Sequence, residues 1–401
     1  MEMKLPEEGK IAEVRGGKLE VPDEPIVAVI EGDGIGREVI PVAIRVADRA
    51  VELAYGGKRG IIWWELLAGK KALKEKGELL PKETIEGIAT VKLALKGPLE
   101  TPVGSGHRSL NVTLRKVLDL YANVRPVQYY GAPTPFAYAD KVDFIIFREN
   151  TEDVYAGIEW KAFTEEARKV LEFLEREFGI KVREDSGLSL KPISKFATQR
   201  IMRKALQWAV DKGRRVVTIM HKGNIMKFTE GAFREWCYEV AEKEFSEYVS
   251  IGEEKPGKIL VNDRIADNMF QQIIIKPWAY DVIVTPNLNG DYISDAAAAL
   301  VGGVGMASGL NLGDYIALAE PVHGTAPDIA GKGIANPSAA ILSVALLLEY
   351  MGWIEATELI RKALRKTIES GKVTADLAKP GEKALKTEEF AEEVIKAMEG
   401  L

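Results

Sequence analysis

Asp291 and Asp295 stand four residues apart in the stretch DVIVTPNLNGDYISD (281–295), just ahead of the alanine-rich run Ala296–Leu300. On a helix that spacing puts both carboxylates on one face, where like charges repel by a few tenths of a kcal/mol. A hard divalent cation would relieve them, since Mg²⁺ takes one or two protein carboxylates and keeps positions open for substrate oxygens. An acidic first helical turn, favoured by the macrodipole, would explain the pair as well. The spacing alone leaves both readings open.

Other chemistry-bearing residues group by type. Arg115 (in RSLNVTLR, with Ser109 and Asn111), Arg125 (in NVRPV) and Arg148 (closing DFIIFR) fall at the ends of elements. Three guanidinium forks so placed suit a polycarboxylate or a phosphate. Any one of them alone could equally be a structural ion pair. Tyr155 (DVYAG) and Lys222 (HKGN) are candidate proton-transfer groups. A lysine beside a metal and several arginines has its pKa pushed down by like charge. Taken singly, a tyrosine or a lysine is ordinarily packing or surface. His323 in HGTAP is a lone histidine on a glycine loop that could wrap an adenine.

Elements must hold these residues in place. Apolar, β-branched runs at 26–30, 91–95, 143–147, 215–220 and 281–285 read as buried strands. Helices are expected at 37–55, 68–77, 109–120, 195–212, 229–246, 263–275, 338–350, 353–370 and 387–399. Further strands are expected at 60–64 and 315–319, and a hairpin about Gly16-Gly17. In the opening stretch Pro286 stops the strand, Asn287, Asn289 and Gly290 form a turn, and a helix begins near Asp291. This βα rhythm is that of an α/β protein with its ligand groups at strand C-termini. Gly32, Gly34 and Gly36 follow the first strand, but G-x-G-x-G misses the dinucleotide spacing G-x-G-x-x-G, so no Rossmann site is expected. Close backbone approach to some other ligand stays open. Residues 161–190 combine a charged amphipathic helix with an extended segment, an arm suited to pairing with a second chain.

With 401 residues, two domains or one large α/β body are expected. A composition 46% hydrophobic and 28% charged marks a globular protein, and a net charge of −6 argues against nucleic acid as a partner. The single cysteine, Cys237, excludes an internal disulfide and reads as buried. No run approaches the roughly 20 apolar residues of a membrane span, and the N-terminus has no apolar run of signal-peptide type. The cytoplasm is the expected location.

Seven ordered segments carry a resemblance that runs from about Ile26 to the C-terminus. They are KGPLETPVG, RSLNVTLR, NVRPV, FRENTEDVYAGIEW, HKGNIMKFTEGAF, NLNGDYISDAAAALVGGVG and HGTAPDIAGKGIANP. The chain resembles the isocitrate dehydrogenases of the β-decarboxylating dehydrogenase family, which also contains isopropylmalate, homoisocitrate and tartrate dehydrogenases. The resemblance implies an isopropylmalate-dehydrogenase-like two-domain α/β fold, not a Rossmann fold, with central mixed sheets flanked by helices. It implies a large domain of 1–120 and 302–401, a small domain of 121–153 and 195–301, and a clasp-like dimerisation arm of 154–194.

The same resemblance implies oxidative decarboxylation of isocitrate to 2-oxoglutarate and CO₂ by way of oxalosuccinate. Asp267, Asp291 and Asp295 would hold Mg²⁺ or Mn²⁺, and Arg115, Arg125 and Arg148 would fix the substrate carboxylates. Lys222 would help remove the hydroxyl proton, and Tyr155 would help protonate C3. Lys222 and Asp267 would come from the neighbouring subunit of a homodimer. Ser109 and Asn111 match the isocitrate pattern, where isopropylmalate enzymes present apolar residues. Homoisocitrate is harder to exclude, because one methylene discriminates by only about 1–3 kcal/mol. The implied cofactor contacts are Leu99, Thr101, Asn224, His323, Gly324, Thr325, Ala326, Asp328, Ile329 and Asn336. NADP-using bacterial members carry Lys-Tyr after HGTAP, where this chain has Asp328-Ile329, and a later Tyr and Arg, where it has Ala375 and Lys379. A carboxylate there would repel a 2′-phosphate, so NAD is expected and NADP is the alternative.

Overall fold

Five consecutive buried residues, Ile26–Ile30, form the first strand of the main sheet. A strand apolar on both faces needs cover on both. The computed structural model, which describes residues 4–100 and 109–401, places Val27 and Val29 in one core and Ile26, Ala28 and Ile30 in another.

In chain order the elements begin with a hairpin of β1 (Glu13–Arg15) and β2 (Lys18–Glu20), then β3 (Ile26–Ile30), α1 (Gly36–Tyr55) and β4 (Ile62–Glu65). They continue with α2 (Lys70–Lys76), α3 (Lys82–Val91), β5 (Leu93–Lys96), α4 (Leu110–Val117), β6 (Ala122–Gln128) and β7 (Asp143–Glu149). A second small hairpin, β8 (Glu159–Trp160) with β9 (Leu188–Ser189), brackets α5 (Glu165–Phe178). Next come α6 (Lys195–Asp211), β10 (Val216–His221), α7 (Glu230–Glu244), β11 (Val249–Ile251), β12 (Ile259–Ile265) and α8 (Ala266–Ile275). Then follow β13 (Val282–Thr285), α9 (Asn287–Leu300), β14 (Ser308–Leu312) and β15 (Ala317–Pro321). Three helices close the chain: α10 (Ser338–Tyr350), α11 (Ile354–Glu369) and α12 (Thr387–Glu399).

Eleven strands share one sheet in the order β11-β12-β10-β13-β7-β6-β14-β15-β5-β3-β4. β4, β3, β5 and β15 are parallel, as are β11, β12, β10, β13 and β7. Between these blocks β6 and β14 pair antiparallel with each other and with their outer neighbours. The two parallel blocks therefore run in opposite directions, which is the mixed, non-Rossmann arrangement expected. Alternation along β6 sends Val124 into the core and turns Asn123 and Arg125 toward a cavity on the other face. The helix α10 is apolar on all sides and buried from Ser338 to Leu348, so it sits at the centre of the larger core rather than on its surface.

Some elements differ from expectation. α9 starts at Asn287, so NLNG is helical rather than a turn, and Pro286 is its N-cap residue. Tertiary contact overrides the turn tendency: Asn287 is buried and its Oδ1 accepts from Arg148. Residues 263–265 close β12 instead of opening a helix. Asp263 is tolerated in that strand because His221 and Tyr238 both bond it. The strand β14 is small and polar in sequence, yet Asn311 lies buried between Asn123 and Glu320. The last strand is shifted to 317–321, and α3 had no counterpart in the expected pattern. The glycine loop packs closely against neighbouring protein backbone. A Cβ at Gly32 would lie 2.3 Å from Pro98 O, and one at Gly34 2.0 Å from Thr325 O. Cys237 is buried on α7. Among the described residues no helix is long and apolar enough to cross a membrane.

Candidate active site

α9 is the platform. Asp291 and Asp295 lie one turn apart on it, with side chains 40% and 60% exposed. Arg148, near the end of β7, lies against this helix with its side chain 1% exposed. Its Nε donates to Asn287 Oδ1 at 2.9 Å and its Nη1 to Asp291 Oδ1 at 2.5 Å. The close approach requires Gly290: a Cβ there would sit 2.5 Å from Arg148 Cγ. Gly290→Ala gains up to about 1 kcal/mol of helix propensity. The overpacking it causes should cost more, about 1–3 kcal/mol. A net fall in stability on thermal denaturation is the expected result; a rise in Tm would contradict this packing.

Tyr155 comes from a short turn, Asp153–Ala156, after β7. Its hydroxyl donates to Asp291 Oδ2 at 2.7 Å, and its ring lies 5.0 Å from the Arg148 guanidinium. Burial, outweighing the opposing pull of Arg148, pushes the phenol up to about 12, so it stays protonated at neutral pH. Arg125 Nη1 donates to Ser294 Oγ and lies 3.7 Å from Asp291 and 3.8 Å from Asp295. Asp291 is raised by burial but brought below its ordinary range by Arg148, Tyr155 and Arg125. Asp295 is raised, by burial and also by the Asp291 charge, against the pull of Arg125.

A second cluster adjoins the first. Glu320, near the end of β15, bonds Lys96 and Arg115, each at 2.6 Å. Burial raises its pKa, but these two cations hold it far below the usual carboxylate range. Lys96 Nζ also donates to Asn111 Oδ1 at 2.8 Å, so what Asn111 can offer a carboxylate is its donor amide. Ser109 caps α4, its hydroxyl accepting from Val112 N at 3.4 Å. Lys96, Asn111, Arg115 and Glu320 line a cavity of about 120 Å³ with Arg125 and His323.

The charge distribution is unfavourable without a ligand. Burial lowers the pKa of Arg125 to about 9, with Arg148 and Arg115 adding to the shift. Burial and Arg115 likewise lower Arg148. Among the described residues the buried Nε donors of Arg115 and Arg125 have no partner. Such orphaned charged donors cost several kcal/mol unless something accepts from them. Among the described residues, Lys96, Arg115, Arg125 and Arg148 stand against Glu320, Asp291 and Asp295, leaving one net positive charge. A divalent cation together with a tricarboxylate anion would neutralise it.

The hard oxygens of Asp291 and Asp295 suit Mg²⁺ or Mn²⁺. One chain brings only two of the three expected ligands together. Asp267, at the start of α8, instead forms an ion pair with Lys222 after β10, and its side chain is 72% exposed. No three His, Cys, Asp or Glu side chains converge among the described residues. Neither Lys222 nor Asp267 is hydrogen-bonded or ion-paired to Tyr155, Asp291 or Asp295 among those residues.

The expected cofactor residues divide into groups. His323 Nδ1 donates to Gly324 O at 3.0 Å, and its buried Nε2 has no partner among the described residues. Burial lowers its pKa, so a neutral ring with an acceptor nitrogen faces the site, and that fits a nucleotide. Ala326 carries a positive φ of 40°, and Thr325 O holds Ile35 N. Asn224 is exposed. Asn336 is committed internally, to Asp376 and to Ser338 N. Asp328 is exposed, whereas Ile329 packs against the main core. Thr101 lies outside the described residues. Sequence reasoning missed Lys96, Glu320, Ser294 and Asn287. The signal for the first two was available: a charged residue near the end of an otherwise apolar strand in LALK and ALAEP.

Comparison with known proteins agrees with this arrangement. Residues 26–394 match the family described as isocitrate/isopropylmalate dehydrogenase. A protein of Caldococcus noboribetus named isocitrate dehydrogenase (NADP) is 55% identical, over 98% of this chain and 95% of its own length. One of Archaeoglobus fulgidus with the same name is 54% identical, over 100% of this chain and 99% of its own. The crystal structure of isocitrate dehydrogenase from Methylococcus capsulatus superposes with a TM-score of 0.79 at 38% identity, over 93% of this chain and 99% of that one.

These relatives overturn the expectation of NAD, for the cofactor and for the reaction as first written, because they are named for NADP. The inference failed for a physical reason. Ile329 is turned into the core, so its identity says nothing about a 2′ group. Asp328 is solvated, and two unit charges 4 Å apart in water interact by only about 1 kcal/mol. The exposed Lys332 and Lys379 offset it in sign.

Proposed function

The chain belongs to the isocitrate/isopropylmalate dehydrogenase family, and from that premise we propose that it oxidatively decarboxylates isocitrate to 2-oxoglutarate and CO₂ with NADP and a divalent metal. The observation that carries the reading is the set of three arginines that repel one another, Arg125 and Arg148 buried and Arg115 nearly so, two of them with Nε donors orphaned among the described residues, beside a carboxylate pair on α9. A tricarboxylate plus Mg²⁺ or Mn²⁺ neutralises that site, whereas a monocarboxylate with the same metal would leave it with a net positive charge.

Arg115, Arg125 and Arg148 bind the carboxylates and fix the substrate by planar pairing. Ser109 and the donor amide of Asn111 read the distal carboxylate, which an apolar pair would leave unpaired. Asp291 and Asp295 hold the metal, with Asp267 of a second copy as third ligand. When bound, the metal supplies positive charge that lowers the pKa of the substrate hydroxyl and stabilises charge developing on its oxygen. When bound, NADP supplies the hydride acceptor, and Leu99, Thr101, Asn224 and the loop His323–Ala326 form its seat. Lys222 of the second copy takes the hydroxyl proton. Tyr155, protonated and oriented by Asp291, delivers a proton to C3 after CO₂ departs.

A shared site makes the working unit a homodimer. Exposed apolar side chains support this: Phe228 and Ile225 beside Lys222 are 92% and 69% exposed, and Phe163 on the arm 86%. The parts at 1–120 with 302–401, and at 121–153 with 195–301, act as the large and small domains around the cleft, with 154–194 as the clasp. Location in the cytoplasm suits the reaction.

The test is NADPH formation at 340 nm with Mg²⁺ and equal concentrations of isocitrate, homoisocitrate or isopropylmalate, repeated with NAD. The expected order is isocitrate first, homoisocitrate weaker by about tenfold or more, as one methylene allows, and isopropylmalate inactive. Preference for isopropylmalate would refute the reading of Ser109 and Asn111.

A further inference from the structure

We propose that a buried charge triad, Asp153–Lys191–Glu230, positions both proton-transfer groups of a chain, Tyr155 for its own site and Lys222 for its partner's. The proposal rests on the shared-site reading above and adds to it the device that links the two sites.

Lys191 sits in the extended segment between β9 and α6, in the region of the arm. Its Nζ lies 2.6 Å from Asp153 Oδ1 and 3.1 Å from Glu230 Oε1. The second approach is oblique, an ion pair rather than a hydrogen bond. Both carboxylate side chains have no exposed surface, and that of Lys191 is 18% exposed. Two fully buried carboxylates on one ammonium are costly unless each is also bonded elsewhere, and each is.

Asp153 opens the turn that carries Tyr155, with a positive φ of 70°. Its Oδ1 also accepts from Val154 N at 2.7 Å, and its Oδ2 accepts from Leu288 N at 3.0 Å, in the first turn of α9. Asp153 therefore fixes the Tyr155 turn to the helix that carries Asp291. Glu230 opens α7, and its Oε2 accepts from Lys222 N and from Asn289 Nδ2. Glu230 therefore fixes the Lys222 loop to the same helix. Lys191 is the cation common to both. None of the three touches the candidate substrate groups, so all are positioning residues.

Without the ammonium, the two buried carboxylates repel and both move apart, each taking its loop with it. A displacement of about 1 Å at a reacting group costs on the order of 10²-fold in rate. Lys191→Met should lower kcat by about that factor while leaving KM for isocitrate unchanged, because the arginines are not held by this triad. Lys191→Arg should restore activity.

Subunit mixing gives the decisive test. Two differently tagged full-length chains are co-expressed, the mixed dimer is isolated, and isocitrate oxidation is assayed with Mg²⁺ and NADP. Tyr155→Phe and Lys222→Met should complement each other, since their mixed dimer has one intact site. Lys191→Met should complement neither. Asp153→Asn should behave like the tyrosine variant and be rescued only by Lys222→Met. Glu230→Gln should behave like the lysine variant and be rescued only by Tyr155→Phe. If Lys191→Met does not fold, these last two variants carry the test. Rescue of Lys191→Met by either partner, or a kcat within threefold of the parent protein, would overturn the triad. Failure of Tyr155→Phe and Lys222→Met to complement each other would instead overturn the shared site, and with it the link between sites.

Discussion

Arg148→Ala is expected to lower kcat/KM for isocitrate by on the order of 10³-fold. Arg148 is fully buried, and its fork already bonds Asn287 and Asp291, so it meets the substrate as a fixed, preorganised donor. Removing one partner of a buried charged contact costs about 3–5 kcal/mol, and about 1.4 kcal/mol is a factor of ten. Stability of the unliganded chain should fall by less than binding does. The three arginines repel one another when no anion is present, so losing one relieves part of that strain. The two effects separate in thermal denaturation. Isocitrate with Mg²⁺ should raise Tm of the parent protein and leave Tm of the variant nearly unchanged. Arg148→Lys keeps the charge but loses the planar fork, and should recover only part of the activity. A parent-like kcat/KM in Arg148→Ala would remove the arginine clamp from the mechanism.

Asp291→Asn should lower kcat by on the order of 10³-fold, as loss of a charged group that serves both metal and proton chemistry. Asp291 does two things at once: it faces the cation site, and it accepts from Arg148 on one oxygen and Tyr155 on the other. An asparagine would turn its oxygen to Arg148 and its amide to Tyr155. The phenol must then accept instead of donate, and its proton points elsewhere. Saturating Mg²⁺ should therefore not restore kcat. Asp295→Asn should behave differently. Among the described residues Asp295 forms no ion pair but the 3.8 Å one with Arg125, so its loss should raise the Mg²⁺ needed for half-maximal rate while leaving much of kcat recoverable. Equal recovery of both variants by Mg²⁺ would show that Asp291 does not orient Tyr155.

Much of this was legible in the sequence because it follows from single elements. The run DFIIFR declares a buried strand ending on a charge, and Arg148 stands there. Four-residue spacing puts Asp291 and Asp295 on one face of α9, although the helix starts a turn earlier than its Asn and Gly suggest. What depends on contact between distant segments was not legible. Nothing local tells that Gly290 is a seat for Arg148, or that Gly32 and Gly34 dock against the loops at Pro98 and Thr325. The Lys96–Glu320 pair joins strands more than two hundred residues apart in sequence. The cofactor error has the same origin. Asp328 and Ile329 are adjacent in sequence, but one is solvated and the other is packed inward, so they do not act as a pair.

The most direct measurement is the stoichiometry of a single reaction: isocitrate, NADP and Mg²⁺ are mixed with the protein, and NADPH, CO₂ and 2-oxoglutarate are quantified together. The arginine clamp, the carboxylate pair and the proton donor Tyr155 predict all three products in equal amounts, abolished by chelation of the metal. Absence of isocitrate-dependent NADPH, or NADPH formed without CO₂, would contradict an oxidative decarboxylase.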